Sequence, residues 1–375
     1  MKRFTQFCRE QREAELLETI NGLSVIKATD FGEFYLNEGY ASFLGAPTNV
    51  ISADDMQDYA GRIHSQSKLA SDKYKMPYVH RSNLTVKDES GKTFDLDKLK
   101  KDITTRPTSL LKQNEKIKHT GGATQIVYNL GLPALRGLAV NEKTGEFVIV
   151  NTCPGAGACK IYCYAMKGGY VQYAAPSMSA SRVLNFLLND PDGFSAMLTK
   201  ELTNAEKSAT KKSATIIFRW HDAGDFFSPQ YMELAFDLAR RFPNIQFYAY
   251  TKVAAVANSS TKPSNFLFNF SQGAQPSQEK LINPTSTKQA MVVPKELLGD
   301  LIKKVPGAWT ITDVEEAKER LAKHYHLNPK VILTYPEMLK TPQGPSLTYS
   351  VIVIPGDGDL SATRSDVKNT LLYIH

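Results

Sequence analysis

The stretch Asn151-Thr-Cys-Pro-Gly-Ala-Gly-Ala-Cys-Lys-Ile-Tyr-Cys-Tyr164 holds three of the chain's four cysteines, Cys153, Cys159 and Cys163. Thiolates are soft ligands suited to zinc and to iron–sulfur clusters. Pro154, Gly155 and Gly157 keep the chain between them out of helix and strand, so the loop can wrap around a centre. Three donors leave one coordination position to be supplied from elsewhere or left open to a substrate. On spacing alone three readings stand side by side. One is an iron–sulfur cluster, one is a Cys3His zinc site completed by His221 or another histidine, and one is no metal at all, with the cysteines as small buried apolar groups. A disulfide between two of the three would strand the third.

A second stretch with chemistry in it is Arg219-Trp-His-Asp-Ala-Gly-Asp-Phe-Phe-Ser228. Gly224 permits close backbone approach, and Asp225 offers a carboxylate to an ammonium group. The plainer reading is a helix-entry turn, with Asp225 favourably placed near a helix start. His221 by itself reads as a hydrogen-bonded rim residue. Trp220, Phe226, Phe227 and Tyr250 would be stacking surfaces for a base if they line a rim, and core residues if they do not.

The elements that must carry these residues are read from periodicity. Phe147-Val-Ile-Val-Asn151 predicts a strand delivering the chain into the cysteine loop. Beyond Cys163 helices are expected at about 179–188 and from Phe194, where Phe194, Met197, Leu198, Leu202 and Ala205 share a face. A strand at Thr215–Trp220 follows. Ser228-Pro229 then opens a helix bearing Tyr231, Leu234, Ala235, Leu238, Ala239 and Phe242. Further strands are expected at 245–250 and 265–270, with apolar runs at 290–293, 309–311, 331–334 and 351–354. Thr312-Asp-Val-Glu315 reads as a capping box for a helix to about His326. Strands alternating with helices predict an α/β fold with parallel strands, whose sites gather at the C-terminal strand ends. Both informative stretches are expected there, the cysteines on the strand preceding Thr215–Trp220.

Residues 1–120 read as an N-terminal accessory region and 121–375 as the main domain. Within the former, 1–20 suggests a polar helix carrying Cys8, 23–44 small strands and turns, and 52–75 a helix. Lysines at 98–118 read first as a solvated surface and second as a nucleic-acid patch. The chain has 375 residues, 42% hydrophobic and 10% aromatic, enough for a large core. Its start lacks the apolar segment of a signal peptide, and nowhere do roughly 18 apolar residues run together. Four unevenly spaced cysteines make no secreted disulfide framework, so a reducing cytoplasm is the expected setting. A net charge of +7 is compatible with a polyanionic partner.

The chain from about Phe147 to Ile354 resembles the radical S-adenosylmethionine (SAM) superfamily. The resemblance rests on Cys153, Cys159 and Cys163, with aromatic Tyr162 before the last cysteine, and on Ala223-Gly-Asp225 after the second strand. More narrowly, Cys-Pro-Gly-Ala-Gly-Ala-Cys-Lys-x-Tyr-Cys-Tyr-Ala and Arg-x-His-Asp-x-Gly-Asp-Phe resemble uncharacterised phage-encoded proteins. The resemblance implies a partial (β/α) TIM-like barrel of radical SAM type, a [4Fe–4S] cluster on the three cysteines, and SAM as cofactor. It implies that Gly224 and Asp225 hold the methionine end, that Ser271 meets the ribose, and that Arg182 and His221 meet the carboxylate or substrate, although a serine at a strand end such as Ser271 reads equally well as a turn cap. Reduction of such a cluster cleaves SAM to a 5′-deoxyadenosyl radical that takes hydrogen from a substrate, here expected to be a nucleobase or nucleic acid. A reductase or flavodoxin-like electron donor and, for a phage protein, the host cytoplasm follow. The chain departs from the family in leaving five and then three residues between its cysteines, more than usual, and in having one glycine and Asp in the acidic motif. Two rivals remain: a zinc-stapled nucleic-acid-binding protein, and an iron–sulfur electron-transfer or partner-binding protein without SAM cleavage.

Overall fold

A computed structural model of the chain describes residues 48–50, 96–113, 117, 124–140, 142, 147–159, 163, 165 and 174–373. Its strands are β1 (Thr48–Val50), β2 (Gln125–Asn129), β3 (Arg136–Val140), β4 (Phe147–Asn151), β5 (Thr215–Trp220), β6 (Gln246–Thr251), β7 (Phe266–Ser271), β8 (Gln289–Val293), β9 (Ile302–Val305), β10 (Ala308–Ile311), β11 (Ile332–Thr334), β12 (Tyr349–Val353) and β13 (Val367–Tyr373). The helices that matter below are α1 (Leu96–Thr104), α2 (Ala174–Asn189), α3 (Pro191–Lys211), α4 (Pro229–Arg241), α5 (Val314–Tyr325), α6 (Tyr335–Lys340) and α7 (Leu360–Thr363). The expected boundary near residue 120, the expected elements at 1–20, 23–44 and 52–75, Cys8 and Tyr162 lie outside the described residues.

Two units interleave along the chain. The first takes Met1–Leu110, Gly131–Glu201 and His221–Ala235; the second takes Leu111–Leu130, Leu202–Trp220 and Phe236–His375. In the first, β4 is the middle strand of an antiparallel sheet of order β1-β4-β3. Helix α2 lies along β3, and Gly137 makes this possible: a Cβ there would sit 2.3 Å from Leu184 Cδ2. Backbone groups of β3 that no strand serves are met by α2 side chains. Val140 N–H donates to Asn185 Oδ1 at 2.8 Å, and Asn189 Nδ2 donates to the Val140 carbonyl at 3.0 Å, so the strand end keeps its hydrogen bonds away from water. Buried Val183, Leu184, Leu187, Phe194 and Leu198 form the adjoining apolar layer.

The second unit is built on eight strands in the order β11-β12-β13-β8-β7-β6-β5-β2, every neighbouring pair parallel. The α/β class with a parallel sheet is therefore as expected. The chain steps across the sheet from β2 through β5, β6 and β7 to β8. It then jumps to the far edge and returns through β11 and β12 to β13. Right-handed crossovers that reverse direction must put helices on opposite faces. Accordingly Ala317 and Leu321 of α5 pack with Ile332, Ile352 and Leu371, while Met338 of α6 packs with Val351 and Val353 from the other face. Phe236, in the second half of α4, lies 5.8 Å from both Phe266 and Phe268, ring to ring, on the α5 side. Phe218 meets Trp220 edge-on at 5.2 Å and Phe247 at 5.6 Å within the same layer. Burying each such ring stabilises by about 1.5–3 kcal/mol.

Two expectations change, the place of β4 and the cap of α5. The strand before the cysteines, β4, belongs to the antiparallel sheet, and β2 is the parallel neighbour of β5. A β-branched run serves either pairing direction, so its composition could not decide between them. Among the described residues no pairing closes the eight strands into a barrel. The α5 cap is Asp313, whose side chain accepts from Glu316 N–H at 3.0 Å, while Thr312 Oγ1 donates to the Leu301 carbonyl. A reciprocal capping box does occur at α6, between Thr334 and Glu337. Among the described residues no helix is long and apolar enough to cross a membrane.

Candidate metal centre

The cysteine loop leaves β4 through Thr152, which is fully buried and tied down on both sides. Thr152 Oγ1 donates to the Pro133 carbonyl at 2.6 Å, and its N–H to the Leu135 carbonyl at 3.2 Å. Cys153 follows directly. Its N–H is held by Asn151 Oδ1 at 3.3 Å, and its carbonyl closes a turn by accepting from Ala156 N–H at 3.1 Å. Leu135, at φ +63°, presents its own N–H to Cys153 Sγ at 3.2 Å. A backbone donor aimed at sulfur favours a thiolate or a metal-bound sulfur.

Cys153, Cys159 and Cys163 form no disulfide among the described residues, and each is partly buried. Burial pushes the Cys153 thiol up to about 12, and the charge of Asp225 pushes the same way; the Leu135 N–H opposes them, and Cys163 and Cys159 add smaller pushes. Three sulfurs and one carboxylate thus share an electrostatic neighbourhood that disfavours more negative charge. A resident cation would reverse that balance, since ligation replaces the thiol proton. The donor set fits a thiolate-bound iron or zinc centre in kind. Among the described residues no three His, Cys, Asp or Glu side chains are already drawn into a coordination set.

The second loop reaches the same place by backbone contacts. Leu132 N–H donates to the Ala223 carbonyl at 2.8 Å, and Asp225 N–H donates to the Thr152 carbonyl at 2.7 Å. Gly224, at φ +85°, lies so close to Leu132 that a Cβ would be 2.6 Å from Leu132 Cβ. Asp225 is 5% exposed, and its Oδ1 accepts from Phe226 N–H at 2.7 Å. Ser228 Oγ caps α4 by accepting from Tyr231 N–H at 3.2 Å. Gly224, Asp225 and Cys153 are therefore brought together.

The remaining expected site residues are placed differently. His221 is buried in the left-handed region at φ +71°, its Nε2 lies 2.8 Å from the Tyr231 hydroxyl, and its ring meets Phe226 edge-on at 4.7 Å. It braces the loop from behind. Arg182, on α2, donates from Nε to the Asp102 carbonyl at 2.7 Å and so holds the end of α1. Ser271 belongs to the second unit, where its Oγ accepts from Lys252 Nζ at 2.7 Å. Trp220, Phe226 and Phe227 are fully buried and are core, not exposed stacking surfaces; Tyr250 is half-buried. Two contributors leave no trace in side-chain type, the Leu135 N–H and the Thr152 carbonyl, because every residue carries a carbonyl and every residue but proline an N–H.

The family described as Gene product 88 matches residues 108–336, a span that includes both loops. The Gene 88 protein of Mycobacterium phage D29 is 34% identical over 158 residues, which are 40% of this chain and 59% of that protein. The Gene 88 protein of Mycobacterium phage L5 is 32% identical over 158 residues, with the same shares. The chain thus spans less than two thirds of the length of either relative. No solved structure matches it.

Proposed function

The chain belongs to the Gene product 88 family, and from that premise we propose that it is a [4Fe–4S] enzyme that starts radical chemistry from SAM. The observation that carries this reading is the 2.7 Å bond from Asp225 N–H to the Thr152 carbonyl, which fastens a glycine-and-carboxylate loop to the residue before Cys153. When bound, the cluster would supply the electron that cleaves the carbon–sulfur bond of SAM, chemistry that belongs to the cofactor. Cys153, Cys159 and Cys163 would hold the iron and leave one position open. Asp225 would accept the ammonium of the methionine end, with Gly224 letting the backbone approach. Thr152, fully buried beside Cys153, would help to keep water from the open position. The finer fold reading, a partial barrel of radical SAM type, is supported by these motifs and by the chain-order run of β2, β5, β6, β7 and β8.

For the substrate we favour a nucleobase, free or within a nucleic acid, with a reductase or flavodoxin-like protein as electron donor in the host cytoplasm. The net charge of +7 and the exposed Lys207, Lys211 and Lys212 support this choice. Binding to a nucleic acid itself would weaken steeply with added salt, as each neutralised phosphate releases counterions.

Anaerobic purification tests the reading. The protein is expected to be brown, with about four iron and four sulfide per chain, and after reduction to convert SAM to 5′-deoxyadenosine while altering the mass of a candidate nucleoside. Stoichiometric zinc without iron would instead indicate a zinc-stapled protein. His221 Nε2 is taken by the Tyr231 hydroxyl, so in such a site it would have to ligate through Nδ1 or leave the fourth position to another donor. Iron and sulfide without 5′-deoxyadenosine would indicate electron transfer or partner binding.

A further inference from the structure

Within the second unit, the sheet face covered by α7 carries a polar layer that the proposed reaction does not use. Arg219, near the C-terminal end of β5, is buried and forms an ion pair with Asp359, 140 positions away in the chain. Its guanidinium lies 5.1 Å over the ring of Tyr250 on β6. Tyr248, also on β6, donates its hydroxyl to the same carboxylate oxygen at 3.4 Å. Burial first, and the Asp359 charge next, hold the Tyr248 phenol well above its usual range, so it stays a donor.

Stability is a poor reason for such a pair. Desolvation of two buried charges largely offsets their attraction, and apolar residues of similar volume would hold the sheet as well. A guanidinium held over an aromatic ring and paired with a carboxylate is instead the arrangement that recognises a two-oxygen anion. Asp359 supplies those oxygens from a connection between β12 and β13 that contains Gly356, at φ +98°, where an added Cβ would meet no described atom within 4 Å. Beside Tyr250 on the neighbouring strand stands Asn269, fully buried. Its Nδ2 donates to the Ala362 carbonyl at 3.1 Å, whereas its buried Oδ1 has no hydrogen-bond partner among the described residues. A buried acceptor left unmet is costly and calls for a donor from another molecule.

We propose that Arg219, Tyr248, Tyr250 and Asn269 form a binding site for a small oxyanion ligand, phosphate- or carboxylate-bearing, with a neighbouring O–H or N–H donor. Asp359 occupies the oxyanion position in the state seen here and keeps the site shut. The fork of Arg219 and the Tyr248 hydroxyl take the anionic oxygens, Tyr250 backs the guanidinium, and Asn269 Oδ1 takes the donor. The inference does not depend on what the cysteines bind.

Isothermal titration of the full chain with inorganic phosphate, adenosine 5′-monophosphate and benzoate tests it, the three probes separating phosphate from carboxylate recognition. Asp359→Asn keeps the shape but removes the competing charge, and should bind at least one probe about tenfold or more tighter than the parent. Adding Arg219→Gln should abolish the gain. In the parent protein, a saturating probe should speed hydrogen exchange of the amides at 356–363. A folded Asp359→Asn variant with no gain for any probe overturns the proposal. Should that variant not fold, unchanged exchange at 356–363 in the parent overturns it equally.

Discussion

The N–H of Asp225 donates to the carbonyl of Thr152 across 2.7 Å, so the carboxylate-bearing loop and the first cysteine are one peptide apart. The bond is buried, with Thr152 fully and Asp225 almost fully out of solvent. Position is thus set by the backbone, and the Asp225 side chain can be changed without unfastening the loop.

Asp225→Asn is the informative change, since an amide oxygen still accepts from Phe226 N–H while the charge is gone. SAM affinity, measured by calorimetry on protein with normal iron content, should fall about tenfold to a hundredfold, as expected for losing one charge-assisted hydrogen bond. Equal affinity in variant and parent would remove Asp225 from the cofactor site.

Replacing Cys153, Cys159 or Cys163 singly with Ala should strip iron from the anaerobically purified protein, and Cys8→Ala should not. Iron and sulfide analysis with the visible spectrum reads this directly. Cys153→Ser is a sharper version, because the hydroxyl keeps a polar atom near the Leu135 N–H while withdrawing the thiolate. Full cluster content in any of the three alanine variants would exclude that cysteine as a ligand.

Gly224 and Gly307 have nearly equal backbone angles, φ +85° and +83°, but different surroundings. A Cβ at Gly307 meets no described atom within 4 Å, and one at Gly224 would be 2.6 Å from Leu132 Cβ. Gly307→Ala should therefore cost only the left-handed strain, about 1–2 kcal/mol. Gly224→Ala adds a clash with an atom that no rotamer can move, and should cost clearly more and weaken SAM binding. Denaturant midpoints of the two variants give the comparison; equal losses would mean that the close approach to Leu132 is not structural.

Much of this arrangement can be read from residue types. β5 is legible because Thr-Ile-Ile-Phe-Arg-Trp is β-branched and aromatic almost from end to end and flanked by turn residues. The three cysteines and Gly224-Asp225 are legible because few other residues serve their chemistry. β13 is not: Lys368, Asn369 and Thr370 interrupt its apolar pattern, although it sits between β8 and β12. Those polar residues are tolerated because their partners come from elsewhere, as Asn369 Nδ2 finds Ser350 Oγ at 3.0 Å. The union of Arg219 with Asp359 joins positions 140 apart in the chain, which no local pattern encodes, whereas β4 takes its direction from pairing with β3, its neighbour in the chain.

Lys288 supplies the last prediction. It is 6% exposed, and its ammonium donates to the Ser361 carbonyl at 2.9 Å and the Val367 carbonyl at 2.6 Å. Burial lowers its pKa to about 7, with Asp366 opposing that shift and Arg364 reinforcing it. In the unfolded chain the same group titrates near its ordinary 10.5. Between these values the unfolded chain holds a proton that the folded chain has released, so raising the pH favours folding. The penalty is fully present below about pH 7 and is relieved progressively towards pH 10.5. Lys288→Met removes the titration, and the two carbonyls it leaves short of a donor add a separate loss that does not vary with pH. Denaturant unfolding at neutral and alkaline pH should therefore show the parent gaining on the variant, by on the order of 2 kcal/mol. Parallel pH profiles for parent and variant would mean that Lys288 keeps an ordinary pKa in the folded protein.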